Sequence, residues 1–164
     1  MCLYNFDNKV FFFKAKTEED NNFLQQCVDD AEFHAYISDE ENYDNYKIIS
    51  DGKDNIGVFL CESEINIGIK TVKPIIYIQK KKTITSALSI IAIMDYSFNE
   101  LNADRISIQV FENNRHMNRI MQRYGFVYEG VMPFCKRLDN KYIGLNYYSL
   151  LRREYMDLCL RYYS

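Results

Sequence analysis

The sequence predicts a mixed α/β fold, and three observations carry that prediction. Alternating apolar residues in RISIQVF (105–111) mark a strand, while apolar steps of four and three residues in TITSALSIIAIMDYSFNEL (83–101) mark a helix. Segments of both kinds follow one another along the chain, and its end adds an antiparallel pair. The third observation is size: 164 residues with 48% hydrophobic and 26% charged side chains bury one sizeable core without staples. A single domain over residues 1–164 is therefore expected.

Taken in order, KVFFFKAK (9–16) reads as a first strand. Thr17 is the expected N-cap of a helix over 17–37, in one piece or two, because acids crowd its first turn and complement the helix dipole. SDEENYDN (38–45) is acidic, lacks periodicity and reads as a loop. YKIIS, the turn DGKDN and IGVFLCES (46–63) form a hairpin, with Asp51-Gly52 supplying the turn chemistry. A further β-rich stretch runs from INIGIKTV (65–72) to KPIIYIQ (73–79). In the helix that follows, Ala87, Ile91, Met94, Phe98 and Leu101 form the apolar stripe, and Ile90 and Ile93 widen it enough to pack under a sheet. NNRHMNRIMQRY (113–124) gathers Met117, Ile120, Met121 and Tyr124 on one helical face and stops at Gly125, a natural C-cap. FVYEGVMPF (126–134) and KYIGLNYYSLLRREY (141–155) read as closing strands joined through RLDNK.

Composition excludes several function classes. A net charge of −3 argues against a nucleic-acid binder that neutralises many phosphates. The N-terminus lacks the basic and apolar pattern of a signal peptide, and the longest apolar run, ALSIIAIM (87–94), is far short of the ~20 residues that cross a bilayer. A cytoplasmic location with no membrane partner is expected. The five cysteines stand singly, which predicts reduced thiols and no metal site.

Residues 95–155 carry several linked features: Phe98-Asn99-Glu100-Leu101, the strand 105–111, Asn114, Gly125-Phe126 and Glu129-Gly130, with twelve residues from Asn114 to Phe126. This pattern resembles the GCN5-related N-acetyltransferases, especially the ribosomal-protein N-terminal and the spermidine and aminoglycoside acetyltransferase branches. The resemblance implies a mixed, mainly antiparallel central sheet flanked by helices on both faces. It also implies acetyl-CoA as co-substrate and a primary amine as acceptor, either a small polyamine or aminoglycoside or a protein N-terminus. A homodimer is compatible with it.

In that family the helix starting near Thr83 follows a glycine-rich loop whose backbone N–H groups face the pyrophosphate. Here Gln79 keeps the first motif position, while Lys82 and Ile84 occupy positions where the family has small residues. Two readings follow. Lys80, Lys81 and Lys82 form a cationic lip that meets the phosphates by charge, or they are a solvated connection in a chain that has lost the cofactor and serves as a binding or assembly module. The cofactor contacts implied on the first reading are Gln79, Lys80, Lys81, Lys82, Thr83, Ile84, Thr85 and Asn114, where Asn114 holds the pantetheine arm and caps its helix.

Acetyl transfer needs a neutral amine, an oxyanion held in place and a departing thiolate, and much of its rate comes from holding the reactants together. The family's usual acids, Tyr seven residues or Ser three residues after the Asn, fall on Met121 and Met117. The catalytic acid and base therefore stay unassigned, with Tyr124, Tyr77 and Glu62 as candidates. Glu64 shares a strand face with Glu62. His116 and His34 are the two histidines; for His116, near the start of the helix after Asn114, an exposed polar face is the ordinary explanation. Asp39, Glu40, Glu41 and Asp44 would suit a cationic acceptor, and would equally suit a plain soluble loop.

Overall fold

A computed structural model describes residues 10–30, 45–79, 83–138 and 140–163. The chain divides into two compact units, one of Asn5–Cys61 with Ile75–Ile93, the other of Met1–Tyr4, Glu62–Pro74 and Met94–Ser164. Strands β3 (Asn55–Asn66) and β4 (Ile69–Ile78) and helix α2 (Thr83–Asp95) each pass from one unit into the other.

The first unit contains β1 (Phe11–Phe13), α1 (Glu18–Val28) and β2 (Lys47–Ser50), with strand neighbours in the order β1-β2-β3-β4. Thr17 caps α1 as expected: its side chain accepts the Asp20 N–H, and the Asp20 carboxylate accepts the Thr17 N–H, both at 3.1 Å. Leu24, Cys27 and Val28 on α1 are buried in one cluster with Tyr46, Ile48, Val58 and Tyr77. The hairpin from β2 to β3 forms where the sequence places it. Asp51 Oδ1 accepts the N–H groups of Lys53 and Asp54, and Gly52 takes a φ of 83° that favours glycine. Gly57 lets β3 approach the chain closely, since an added Cβ would collide with the backbone oxygen of Tyr77.

In the second unit the end of β3 turns into β4 through Ile67-Gly68, both with positive φ (49° and 79°). That is the geometry of a two-residue type I′ hairpin, a turn that favours Asn-Gly; the β-branched Ile67 concealed it in the sequence. β5 (Arg105–Phe111) runs parallel to β4 through Thr71↔Arg105 and Val72↔Ile106, and antiparallel to β7 (Lys141–Leu151) along its whole length. β6 (Val127–Leu138) forms the edge beside β7, giving the order β4-β5-β7-β6. The mixed, mainly antiparallel sheet agrees with the expected class.

Two departures from the sequence reading have clear causes. The long helix does not stay α-helical to Leu101: α2 ends at Asp95, and Tyr96–Glu100 form a π-turn in which Leu101 N–H reaches back to the Tyr96 oxygen. The last strand does not run to Tyr155. It stops at Leu151, and Arg152–Tyr163 form a helix, α4, whose first turn is tied by Glu154 accepting the Leu151 N–H at 2.9 Å. Tyr155 and Cys159, four residues apart, are both buried, the spacing of a helical stripe that follows the strand residues directly with no Gly or Pro between.

Candidate functional site

Two residues of the family pattern, Asn114 and Gly125, bracket α3 (Arg115–Arg123), the helix that follows β5. Asn114 caps it: Oδ1 accepts the Met117 N–H at 3.1 Å, and the Asn114 N–H donates to the Phe111 oxygen at 3.0 Å. The cap uses only the side-chain oxygen. Among the described residues Asn114 Nδ2 has no partner, which leaves a donor beside the helix N-terminus, where backbone N–H groups also point outward.

Met121, seven residues after Asn114, is fully buried, and Met117 is half-buried. Neither thioether can protonate a thiolate at neutral pH. Tyr124 ends α3, its N–H bonded to the Ile120 oxygen, and precedes Gly125, whose φ of 77° turns the chain. An added Cβ at Gly125 would stand 2.9 Å from Leu158 Cδ1, a flexible side-chain tip that can yield, so the positive φ is what favours glycine there.

The other expected site residues are dispersed. Tyr77 is packed in the core cluster of the first unit, 8% exposed. Glu62 is exposed on β3, and Glu64 accepts a 2.8 Å bond from Lys73. Gln79 follows β4 and its N–H donates to the Ile56 oxygen at 2.9 Å. Thr83 and Ile84 open α2, and the Thr85 oxygen accepts from Ser89 Oγ at 2.8 Å. His116 is exposed. Lys80, Lys81, Lys82, His34 and the acidic residues Asp39, Glu40, Glu41 and Asp44 lie outside the described residues.

One cluster was not anticipated. Asn118 donates from Nδ2 to the oxygens of Phe111 (2.9 Å) and Asn114 (2.8 Å), while its Oδ1 accepts from Asn146 Nδ2 and Tyr148 OH, both at 2.8 Å. Four bonds on one amide lock α3 to β5 and β7. Burial first, and neighbouring Tyr128 second, push the Tyr148 phenol above its ordinary range, so it stays a neutral donor. A signal existed: asparagine is a poor interior helix residue, and one placed mid-helix often has a polar task.

No family model matches the sequence, and no curated protein matches it. Solved structures do. The spermidine N-acetyltransferase from Vibrio cholerae, in complex with CoA and spermine, superposes with a TM-score of 0.75 at 19% identity, covering 92% of this chain and 99% of that one. An acetyltransferase of the GNAT family from Bacillus anthracis gives 0.69 at 18% identity, over 89% of this chain and 96% of that one. The chain thus has the fold of the GCN5-related N-acetyltransferases. Among the described residues no helix is long and apolar enough to cross a membrane, and no cluster of metal-ligating side chains occurs.

Proposed function

We propose that the chain is an acetyl-CoA-dependent N-acetyltransferase acting on a primary amine, and that residues 1–164 work as one domain. The observation that carries this reading is the fold likeness over 92% of the chain to an acetyltransferase in complex with CoA and spermine. Continuity of β3, β4 and α2 through both compact units supports the single domain.

On this reading Asn114 Nδ2 donates to an amide oxygen of the pantetheine arm while Oδ1 keeps the helix capped. The N-terminus of α2, from Thr83 to Thr85, offers backbone N–H groups and its dipole to the pyrophosphate, with Gln79 beside it. Lys80, Lys81 and Lys82 add charge in place of the glycine cradle. The amine nitrogen attacks the thioester carbon, a C–N bond forms, the C–S bond breaks, and the amine proton leaves to solvent or to a base. With methionine at both usual acid positions, the sulfur departs as thiolate or takes its proton from another group, for which Tyr124, Tyr77 and Glu62 are the candidates. The acceptor is a small polyamine or aminoglycoside-type amine or a protein N-terminus; Asp39, Glu40, Glu41 and Asp44 favour a cationic one. A cytoplasmic location and a homodimer belong to the same proposal.

A second reading rests on Met117, Met121, Lys82 and Ile84 together: an acetyltransferase fold that no longer binds acetyl-CoA and serves as a binding or assembly module. The melting temperature with and without saturating acetyl-CoA separates the two. At a hundred times its dissociation constant the ligand adds about 2.7 kcal/mol, or roughly 5 to 10 °C. That shift, reduced when Lys80, Lys81 and Lys82 are changed to Ala, supports the enzyme; no shift at millimolar acetyl-CoA supports the module.

A further inference from the structure

Asn114, Met117 and Met121 occupy one flank of α3. Roughly 115° around the axis, by mean position at 100° per residue, a second flank carries Arg115, Asn118, Arg119 and Gln122. These four side chains line a groove of 360 Å³, completed by Glu112 from the turn after β5, Tyr128 from β6, and Asn146 and Tyr148 from β7. The groove lies wholly within the second unit.

Its parts are chemically uneven. The floor is fixed and satisfied, because Asn118 spends its amide on Phe111, Asn114, Asn146 and Tyr148. Glu112 is held by the Gly144 N–H at 2.7 Å. The rim differs. Arg115 and Arg119 sit one helical turn apart, both exposed, and neither guanidinium has an ion-pair or hydrogen-bond partner among the described residues. Gln122 adds an amide without a side-chain partner, and Tyr128, tilted on Tyr148 at 5.5 Å, presents a ring that is 49% exposed. One carboxylate, tied to backbone, faces two untied guanidinium groups.

We propose that this groove is an anion-binding site for a small metabolite bearing a phosphate or carboxylate group. Arg115 and Arg119 grip the oxyanion, for which the guanidinium fork has matching geometry. Tyr128 and Gln122 contact the remainder of the molecule. The volume falls at the lower end of small-molecule sites. The two arginines lie off the Asn114 flank, although Asn118 at the floor bonds the Asn114 oxygen, and the proposal does not depend on acetyl-CoA binding.

The test is a titration of the full chain, at low ionic strength, with inorganic phosphate and separately with citrate, following the side-chain amide resonances of Gln122 and Asn146 by NMR. Saturable shifts with a dissociation constant of about 1 mM are expected from at least one probe. Phosphate alone marks a phosphate ester, citrate alone a carboxylate, and both a general oxyanion site. Arg115→Gln with Arg119→Gln weakens binding about tenfold or more, consistent with loss of two charge-assisted contacts. Arg123→Gln removes an exposed charge from outside the groove and leaves the affinity unchanged. Absence of saturation with both probes overturns the proposal. So does an equal loss from Arg123→Gln, which would mean diffuse charge attraction, or displacement of the probe by saturating coenzyme A, which would make the groove part of the nucleotide site. Since both arginines are exposed, the variants keep the parent melting temperature; a Gln122→Ala variant, read by the Asn146 amide, repeats the test without changing charge.

Discussion

Tyr155 donates a 2.6 Å hydrogen bond to the Asp95 carboxylate, joining α4 to the end of α2 where the backbone widens into the π-turn. The same carboxylate oxygen accepts from Asn99 Nδ2 at 2.7 Å, and the Phe98 ring stacks on Tyr155 at 4.7 Å. Arg152 completes the lock by donating to the Phe98 oxygen at 2.6 Å. Removing the hydroxyl in Tyr155→Phe should cost about 1.5–3 kcal/mol, the range for a bond to a charged group. A fall in the urea midpoint with unchanged denaturant slope checks this; an unchanged midpoint would show that the bond contributes nothing net.

Asn114 has two separable duties. Asn114→Ala should lose about 1 kcal/mol through the missing cap. Asn114→Ser restores the cap, and with it the melting temperature of the free protein. If Nδ2 also holds the pantetheine arm, the serine variant recovers stability while the added stabilisation by acetyl-CoA stays reduced. Full recovery of both would leave Asn114 a cap and nothing more.

Ile67 stands 96% exposed with a φ of 49°, a conformation that a β-branched side chain adopts only under strain. Ile67→Asn creates the favoured Asn-Gly pair of a type I′ turn and should stabilise the protein by about 1 kcal/mol. Thermal unfolding reads the change. A lower melting temperature would mean that the exposed isoleucine makes contacts worth more than the strain.

Alkaline conditions should weaken the fold through Cys27. Burial, assisted by the charge of Asp30, pushes its thiol up from 9.0 to about 12. The folded value lies above the unfolded one, so as pH rises the unfolded chain gives up this proton first. The contribution is whole below pH 9 and drains away as pH climbs from 9 towards 12. Tyr155 and Tyr148 shift in the same sense, chiefly from burial, and add to the loss above pH 10. Unfolding free energies from urea titrations between pH 7 and pH 10.5 should fall less steeply in Cys27→Ala than in the parent. Equal slopes would exonerate the thiol.

What the sequence determined by itself was periodicity and local chemistry. Thr17, with acids crowding the turn behind it, announces a helix start, Asp51-Gly52 a turn, and Asn114 with Gly125 the two ends of α3, because such signals depend on neighbours within one helical turn or one hairpin. The order of strands and helices, and with it the class of fold, followed from the same local rules. Tertiary structure alone decided the rest. Residues 152–155 follow the strand residues YYSLL with no Gly or Pro to mark a break, and α4 forms there because Tyr155 and Cys159 find burial and Asp95 offers a partner for the hydroxyl. Asn118 gathers bonds from β5 and β7, with Asn146 and Tyr148 lying 28 and 30 residues away in the chain. Arg115 and Arg119 become the rim of a groove only once Tyr128 and Asn146 face them. Local rules fix which element a residue joins, while contacts between residues distant in sequence depend on how strands are ordered, and that order leaves no short-range mark in the chain.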